Sequence, residues 1–317
     1  MNKIFLNILA AVALVAGFAS CDSDDVSSES IFSTEAPARN NFDNWLLENF
    51  TYPYNVEVKY RFEDIESDVS YTVTPADSTK SAKLAKLVKY LFYDSYDECV
   101  GKDFMKMYSP RQLMFVGSGM YQTSGTVILG YATGSIKIVL TNVNDLTEAV
   151  LRNAEELDRL YLSTFHHEFQ HILNQKVAFD PSFEEISRPD YVSGNWYQQA
   201  EADAYRKGFV RNYAMQEASE DFAETYSDYV GYSYAKWDRI MTIAAQCRDC
   251  AGSGKVGGGT CTTCSGSGKG DGDQRILDKV DFIRRYMKSS YNLDIDKLRE
   301  IVHRRDSELP DLDLDKL

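Results

Sequence analysis

The chain has 317 residues, 44% of them hydrophobic and 13% aromatic, with 34 Lys and Arg against 48 Asp and Glu for a net charge of −14. This composition is globular. The carboxylate surplus sets nucleic acid aside as a partner, because phosphate binding needs clustered Lys and Arg.

The chain begins "MNKIFLNILAAVALVAGFASC", in which Lys3 precedes an apolar run from Ile4 to Ala16 and the small residues Ala19 and Ser20 precede Cys21. The run is too short for a stable membrane span and reads as a secretion signal. A cysteine directly after small residues resembles a lipobox, whose thiol is lipidated and becomes the new N-terminus. Residues 1–20 are therefore expected to be a lipoprotein signal peptide, with Cys21 as the membrane anchor. Residues 21–40, which include "DSDDVSSES", read as a flexible acidic tether and resemble the export signal of Bacteroidetes surface lipoproteins. The domain proper is expected over residues 41–317.

Along that domain, "FDNWLLEN" (42–49) has helical apolar spacing, and "NVEVKYRFED" (55–64) alternates like a strand with one covered face. In residues 80–99, Leu84, Leu87, Val88 and Leu91 define an amphipathic helix. Residues 111–118, 125–132 and 135–143 are β-rich runs separated by glycine-containing turns. A long helix is predicted from about Asn144 to Lys176, and after Pro181 the chain reads as mainly helical. One interruption, from Cys247 to about residue 270, holds glycine and cysteine and almost nothing apolar. The order predicts an α+β fold, with its sheet in the N-terminal half, helices in the C-terminal half and a small insertion among them.

Three of the four histidines lie within "TFHHEFQHIL" (164–173), where His167, Glu168 and His171 form H-E-x-x-H. Residues four apart on a helix differ by about 40° around its axis, so His167 and His171 share a face and can hold one Zn²⁺. Glu168, one residue on, is placed to take a proton from the attacking water and pass it to the leaving amine. Leu162, Phe165, Phe169, Ile172 and Leu173 are available for the core side. His166 points about 100° away from His167, and neither it nor His303, in the charged stretch "LREIVHRRD", is expected to bind the metal.

A catalytic zinc needs a third protein ligand. The metzincin pattern is excluded, because Asn174 and Val177 stand where it needs glycine and histidine. Downstream, "EDFAETYSDY" (220–229) offers Glu220, Asp221 and Glu224, and the two glutamates share a helix face. Glu-x-x-x-Glu after H-E-x-x-H resembles the gluzincin pattern. That resemblance implies that Glu220 binds zinc while Glu224 orients a ligand histidine. "YAMQEASEDFAE" (213–224) is similar to the anthrax lethal factor type of catalytic domain, which implies that Tyr213 steadies the oxyanion. The chain also resembles the Bacteroidetes zinc metallohydrolase lipoproteins found beside outer-membrane nutrient importers.

Cys247-x-x-Cys250 and Cys261-x-x-Cys264 each continue as C-x-x-C-x-G-x-G, which suits a closed structural zinc site of four thiolates. The repeats resemble the cysteine-rich modules of DnaJ chaperones. There are two repeats here against four in those chaperones, which argues against a chaperone role. Two disulfides are the alternative in a secreted chain. Cys99 is left over and reads as a buried thiol.

Two functions emerge as expectations. The first is a zinc metallopeptidase of the cell surface, anchored in the outer membrane through the lipid on Cys21. It would cut polypeptide or glycoprotein nutrients for a TonB-dependent importer and its binding lipoprotein. The second is a non-catalytic, zinc-containing binding lipoprotein. Glu168 favours the enzyme, because a degenerate member would be expected to lose the base before the ligands. An antiparallel edge strand within 125–143 could receive a peptide by strand addition.

Overall fold

The structure is a computed structural model that describes residues 38–61, 71–121, 127–128, 130–133 and 136–316. Residues 1–37, on which the expected signal peptide, Cys21 and most of the expected tether fall, lie outside the described residues, and the fold is that of the unit Asn41–Leu317. Helix α1 (41–54) turns Phe42, Leu46, Phe50 and Tyr54 inward at four-residue steps, and stops where Asn55 takes a left-handed φ of 57°. Strand β1 (Glu57–Lys59) is shorter than predicted, and residues 62–64 of that run lie outside the described residues. Helix α2 (78–100) starts with the Asp77 side chain accepting from the Lys80 amide, and buries the predicted Leu84, Leu87, Val88 and Leu91. Helix α3 (Lys102–Tyr108) follows.

The β-rich runs divide between two sheets. Strands β1, β2 (Gln112–Phe115) and β6 (Lys137–Leu140) pair in parallel, and β5 (Gly130–Thr133) pairs antiparallel with β6 at the outer edge, in the order β1-β2-β6-β5. Strands β3 (Met120–Tyr121) and β4 (Val127–Ile128) make a separate two-stranded ribbon, so the predicted strand 125–132 is two pieces in different sheets. Parallel pairing of β1 and β2 needs a crossover, which α2 and α3 supply. Alternation sends Leu113, Phe115, Ile138 and Leu140 to the main core, and Met114, Val116 and Val139 to a small cluster with Met120 on the other face.

The predicted helix 144–176 is broken. A tight turn at Val143–Asp145 and the short helix α4 (Glu148–Leu151) precede α5 (154–176). Asn153 is extended there, and its side chain accepts from the Glu156 amide, which caps α5 and outweighs the apolar periodicity that runs through the break. Leu162, Phe165, Phe169, Ile172 and Leu173 are all buried as predicted. Phe92 of α2 meets Phe165 at 4.3 Å and Phe169 at 5.4 Å between ring centroids. Burying each of these phenylalanines contributes about 1.5–3 kcal/mol, enough to hold α5 in one rotational setting. His166 belongs to this core. Its Nδ1 lies 2.9 Å from the Tyr96 hydroxyl, which lies 2.6 Å from that of Tyr226, and burial pushes its pKa down to about 3.

The C-terminal half contains α6 (Ser182–Glu185), α7 (Glu201–Arg206), α8 (Ala218–Gly231), α9 (Tyr234–Ala244), α10 (Gly272–Tyr291) and α11 (Ile295–Glu308). Residues 186–200 depart from the predicted helix. They carry Pro189 and Gly194 and form short turns, in which Ile186, Tyr191 and Val192 pack against the core. Among the described residues no helix is long and apolar enough to cross a membrane. Cys99 is half-buried, its thiol 3.4 Å from the Asp294 carbonyl, rather than sealed in the core.

Asp158 of α5 is buried against the end of α8, where a Cβ on Gly231 would come within 2.4 Å of its Oδ1. Burial pushes its pKa up to about 7, against the pull of Lys236. The folded value exceeds the unfolded one, about 3.9. Its contribution is therefore fully present below the unfolded value and is lost as pH rises through about 7. Asp158→Asn should accordingly gain stability over wild type between about pH 4 and pH 7, by no more than about 1.4 kcal/mol per pH unit. Urea denaturation across that range checks this, and a difference flat with pH would contradict it.

Candidate metal centre

Helices α5 and α8 bring three ligand atoms together. His167 Nε2 lies 3.0 Å from His171 Nε2 and 3.1 Å from Glu220 Oε2, and His171 Nε2 lies 3.4 Å from the same oxygen. Atoms tetrahedrally placed at about 2.0–2.1 Å from one zinc lie about 3.3 Å apart, so the three distances fit a shared ion. Glu220 sits in the first turn of α8, whose inward face is set by Phe222, Ala223 and Tyr226. One helical turn on, Glu224 Oε1 stands 2.8 Å from His167 Nδ1, and Arg211 Nη1 stands 2.9 Å from Glu224 Oε2. His167 is thus bracketed through both ring nitrogens, which fixes its ring plane.

The charges in this cluster call for a cation. Burial opposes a charge on His167, yet Glu224 and Glu220 outweigh it and push its pKa up to about 10. Burial likewise opposes ionisation of Glu220 and Glu224. The two histidines hold Glu220 below the usual carboxylate range, and Arg211 with His167 does the same for Glu224. The pull of Glu224, against the cost of burial, keeps Arg211 charged. Glu168, whose charge also acts on His167 and Tyr213, is a third carboxylate against one arginine. A divalent ion on two neutral imidazoles and Glu220 would offset that surplus.

The remaining candidates take distinct places. Tyr213 has its ring centroid 6.0 Å from that of His167, and burial with the nearby Glu220 charge holds its hydroxyl protonated. Asp221 faces the core, 2.6 Å from Lys279 Nζ and accepting from the Tyr191 hydroxyl at 2.8 Å. It therefore takes no part in the ligand set. His303 is on α11, 3.6 Å from Asp306 and under the Tyr234 ring. Arg211 and Trp196, whose ring meets Tyr213 at 4.9 Å, have no sequence signal, because neither stands at a fixed offset from a ligand.

The four cysteines of the insert form a second cluster. Sγ of Cys247 lies 3.9 Å from Cys261, and Sγ of Cys250 lies 3.7 Å from Cys264. Four sulfurs at about 2.3 Å from one zinc lie about 3.8 Å apart, whereas a disulfide is about 2.05 Å long. Amides of Gly254 and Gly268 donate to Cys250 and Cys264, each at 3.2 Å. Those glycines have φ of +70° and +72°, and a Cβ on either would come within 2.3 Å of a carbonyl oxygen of the other repeat. Their place in C-x-x-C-x-G-x-G thus follows from backbone geometry. Between the repeats runs a short ribbon of β7 (Lys255–Val256) and β8 (Gly259–Thr260).

A family model described as "Putative zinc-binding metallo-peptidase" matches residues 35–296. A crystal structure described as a "putative zinc-binding metallo-peptidase from Bacteroides caccae" is 34% identical to this chain, with a TM-score of 0.71. The match covers 90% of this chain and 99% of that one. No curated protein matches the chain. Because the family model spans most of the sequence, H-E-x-x-H and Glu220 included, the chain belongs to that zinc-binding metallo-peptidase family.

Proposed function

We propose that the chain is an active, gluzincin-like zinc peptidase that hydrolyses peptide bonds with Glu168 as general base. The observation that carries this reading is the convergence of His167, His171 and Glu220 within 3.0–3.4 Å, with Glu168 beside them and Glu224 backing His167. Zinc, when bound, acidifies water and polarises the scissile carbonyl. Glu168 accepts the proton of the attacking water and returns it to the leaving amine. The Tyr213 hydroxyl, held protonated, donates to the oxygen that gains charge. Arg211 and Glu224 keep His167 in register through its far nitrogen. Strand β5, at the sheet edge with Gly130 against Thr164 of α5, suits a peptide lying beside the metal by strand addition.

Two further parts of the proposal rest on the sequence and the insert. The lipid on Cys21 would hold the enzyme on the outer face of the outer membrane, where it would supply a TonB-dependent importer and its binding lipoprotein with cut polypeptide or glycoprotein. The four cysteines would hold a second, structural zinc, supported by sulfur spacings of 3.7 and 3.9 Å.

Glu168→Gln should lower peptide hydrolysis by about 10²–10⁴-fold while zinc stays bound, and wild-type cleavage by that variant would refute the role of Glu168. In the same series Glu220→Ala should lose the metal at the histidine site, and Glu224→Ala should lose about 10–100-fold in affinity or activity. Asp221→Ala should keep its zinc but cost about 3–5 kcal/mol, because Lys279 is left buried without its carboxylate. Chelator competition with thermal unfolding separates these effects.

Elemental analysis should find two zinc ions per wild-type chain and one in Cys250→Ser/Cys261→Ser. A single zinc in wild type, with only Cys99 free after unfolding and chelation, would establish disulfides in the insert instead. Fractionation tests the anchor: Cys21→Ala should leave the membrane fraction as folded protein, and retention after a salt wash would point to another attachment.

A further inference from the structure

The insert is more than a decoration on the helical half, because one of its side chains grips the root of a loop whose Trp196 packs against Tyr213. Arg248 lies between Cys247 and Cys250, in a segment whose own buried cluster consists of the four cysteines alone. Its place is set by whatever joins those sulfurs together with the backbone bonds at the base of the insert, from the Cys247 amide to Gly268 and the Gly270 amide to Ala245. From there Nη1 of Arg248 reaches Oδ1 of Asp190 at 3.0 Å and Oδ2 at 3.3 Å, and Arg275 of α10 holds Oδ2 from another direction at 3.0 Å. Asp190, with a side chain 12% exposed, is gripped by one arginine from a helix and one from the insert.

The loop after Asp190 runs to the turn that carries Tyr213. The Tyr191 hydroxyl donates to Asp221, the neighbour of Glu220, at 2.8 Å. The Val192 amide donates at 2.8 Å to the carbonyl of Met215, in the same turn as Tyr213. Four residues later Trp196 sets its ring edge-on to Tyr213. This segment is built of short turns, with Tyr191 on the Phe209 ring and Val192 against the core, and the ion pair at its root and these hydrogen bonds add to that packing in setting where it lies.

We infer that the four-cysteine insert is a positioning element of the peptidase site, holding through Arg248 and Asp190 the loop that seats Trp196 against Tyr213. The metal-held form of this inference rests on the two-zinc reading. Arg248 acts through Asp190 and is a positioning residue; it touches none of the reacting groups. The arrangement ties the geometry of the Tyr213 side of the site to the integrity of a module distant in sequence.

Full-length protein labelled with 5-fluorotryptophan offers three ¹⁹F resonances, from Trp45, Trp196 and Trp237, with Trp196 assigned by Trp196→Phe. Arg248→Ala should shift or broaden the Trp196 resonance and leave the other two in place. It should also speed hydrogen exchange at the Val192 amide by about 1.5–5-fold, the range expected for losing one partly exposed ion pair. Arg248→Lys should restore most of both signals. Cys250→Ser/Cys261→Ser should reproduce the Arg248→Ala effect without touching Arg248. If Arg248→Ala leaves the Trp196 resonance and Val192 exchange unchanged while two zinc ions remain per chain, the inference is overturned and the two-zinc reading stands. If wild type holds one zinc, that reading fails and takes the metal-held form of the inference with it.

Discussion

Both ring nitrogens of His167 are committed, on opposite sides, to two glutamates one turn apart on another helix. Nε2 faces Glu220 at 3.1 Å and Nδ1 faces Glu224 at 2.8 Å. The imidazole cannot rotate without losing one of them, and Glu220 and Glu224 reach it together only if α5 and α8 pack in a single register. The phenylalanines that fix α5 against α2, and Phe222 between Phe179 and Phe183 on α8, thus set the metal geometry from the side opposite the ligands. Core packing and ligand placement are two faces of the same helices. A slip of one residue would turn Glu220 about 100° away from the histidines.

The register of α8 has a second, electrostatic lock. Asp221 and Lys279 are fully buried 2.6 Å apart; the lysine also donates to the Gly208 carbonyl at 2.7 Å and lies over the Phe209 ring. A buried pair of this kind adds little net stability, because both charges pay desolvation, but misplacing either partner costs several kcal/mol. It therefore penalises every arrangement in which α8 is rotated. Consecutive acids on one helix divide the work: Glu220 points to the metal centre and Asp221 anchors the helix that carries it.

What could be read from the chain beforehand depended on whether the information was local. His167, Glu168, His171 and the glutamate pair stand at helical offsets, so their shared faces followed from 100° per residue. The core side of α5 followed from the same periodicity. The helix start at Asn153 was misplaced because apolar spacing continues through the break, although an asparagine ahead of Glu155 and Glu156 is a capping signal in its own right. The division of 125–132 between two sheets depends on pairing partners, which a single sequence does not disclose. Asp221 was chemically as good a ligand as Glu220, and its exclusion required Lys279, 58 residues away, to be placed beside it. Arg211 and Trp196 were invisible for the same reason.

The histidine–glutamate and four-cysteine clusters differ in the chemistry that each could support. Four cysteine sulfurs around one zinc would close its coordination shell, with the Gly254 and Gly268 amides donating to two of them; such a cage would leave no position for water or substrate. Two imidazoles and one carboxylate leave a position open, which hydrolysis needs. The cysteine cluster sits in a segment with no other apolar cluster of its own, and a metal there would supply order. The open one sits between helices already fixed by aromatic packing, so its ligands are held in place before an ion arrives, and binding energy need not be spent on folding them. Removing metal from the insert should therefore unfold a segment, whereas removing it from the histidine site should leave α5 and α8 where they are.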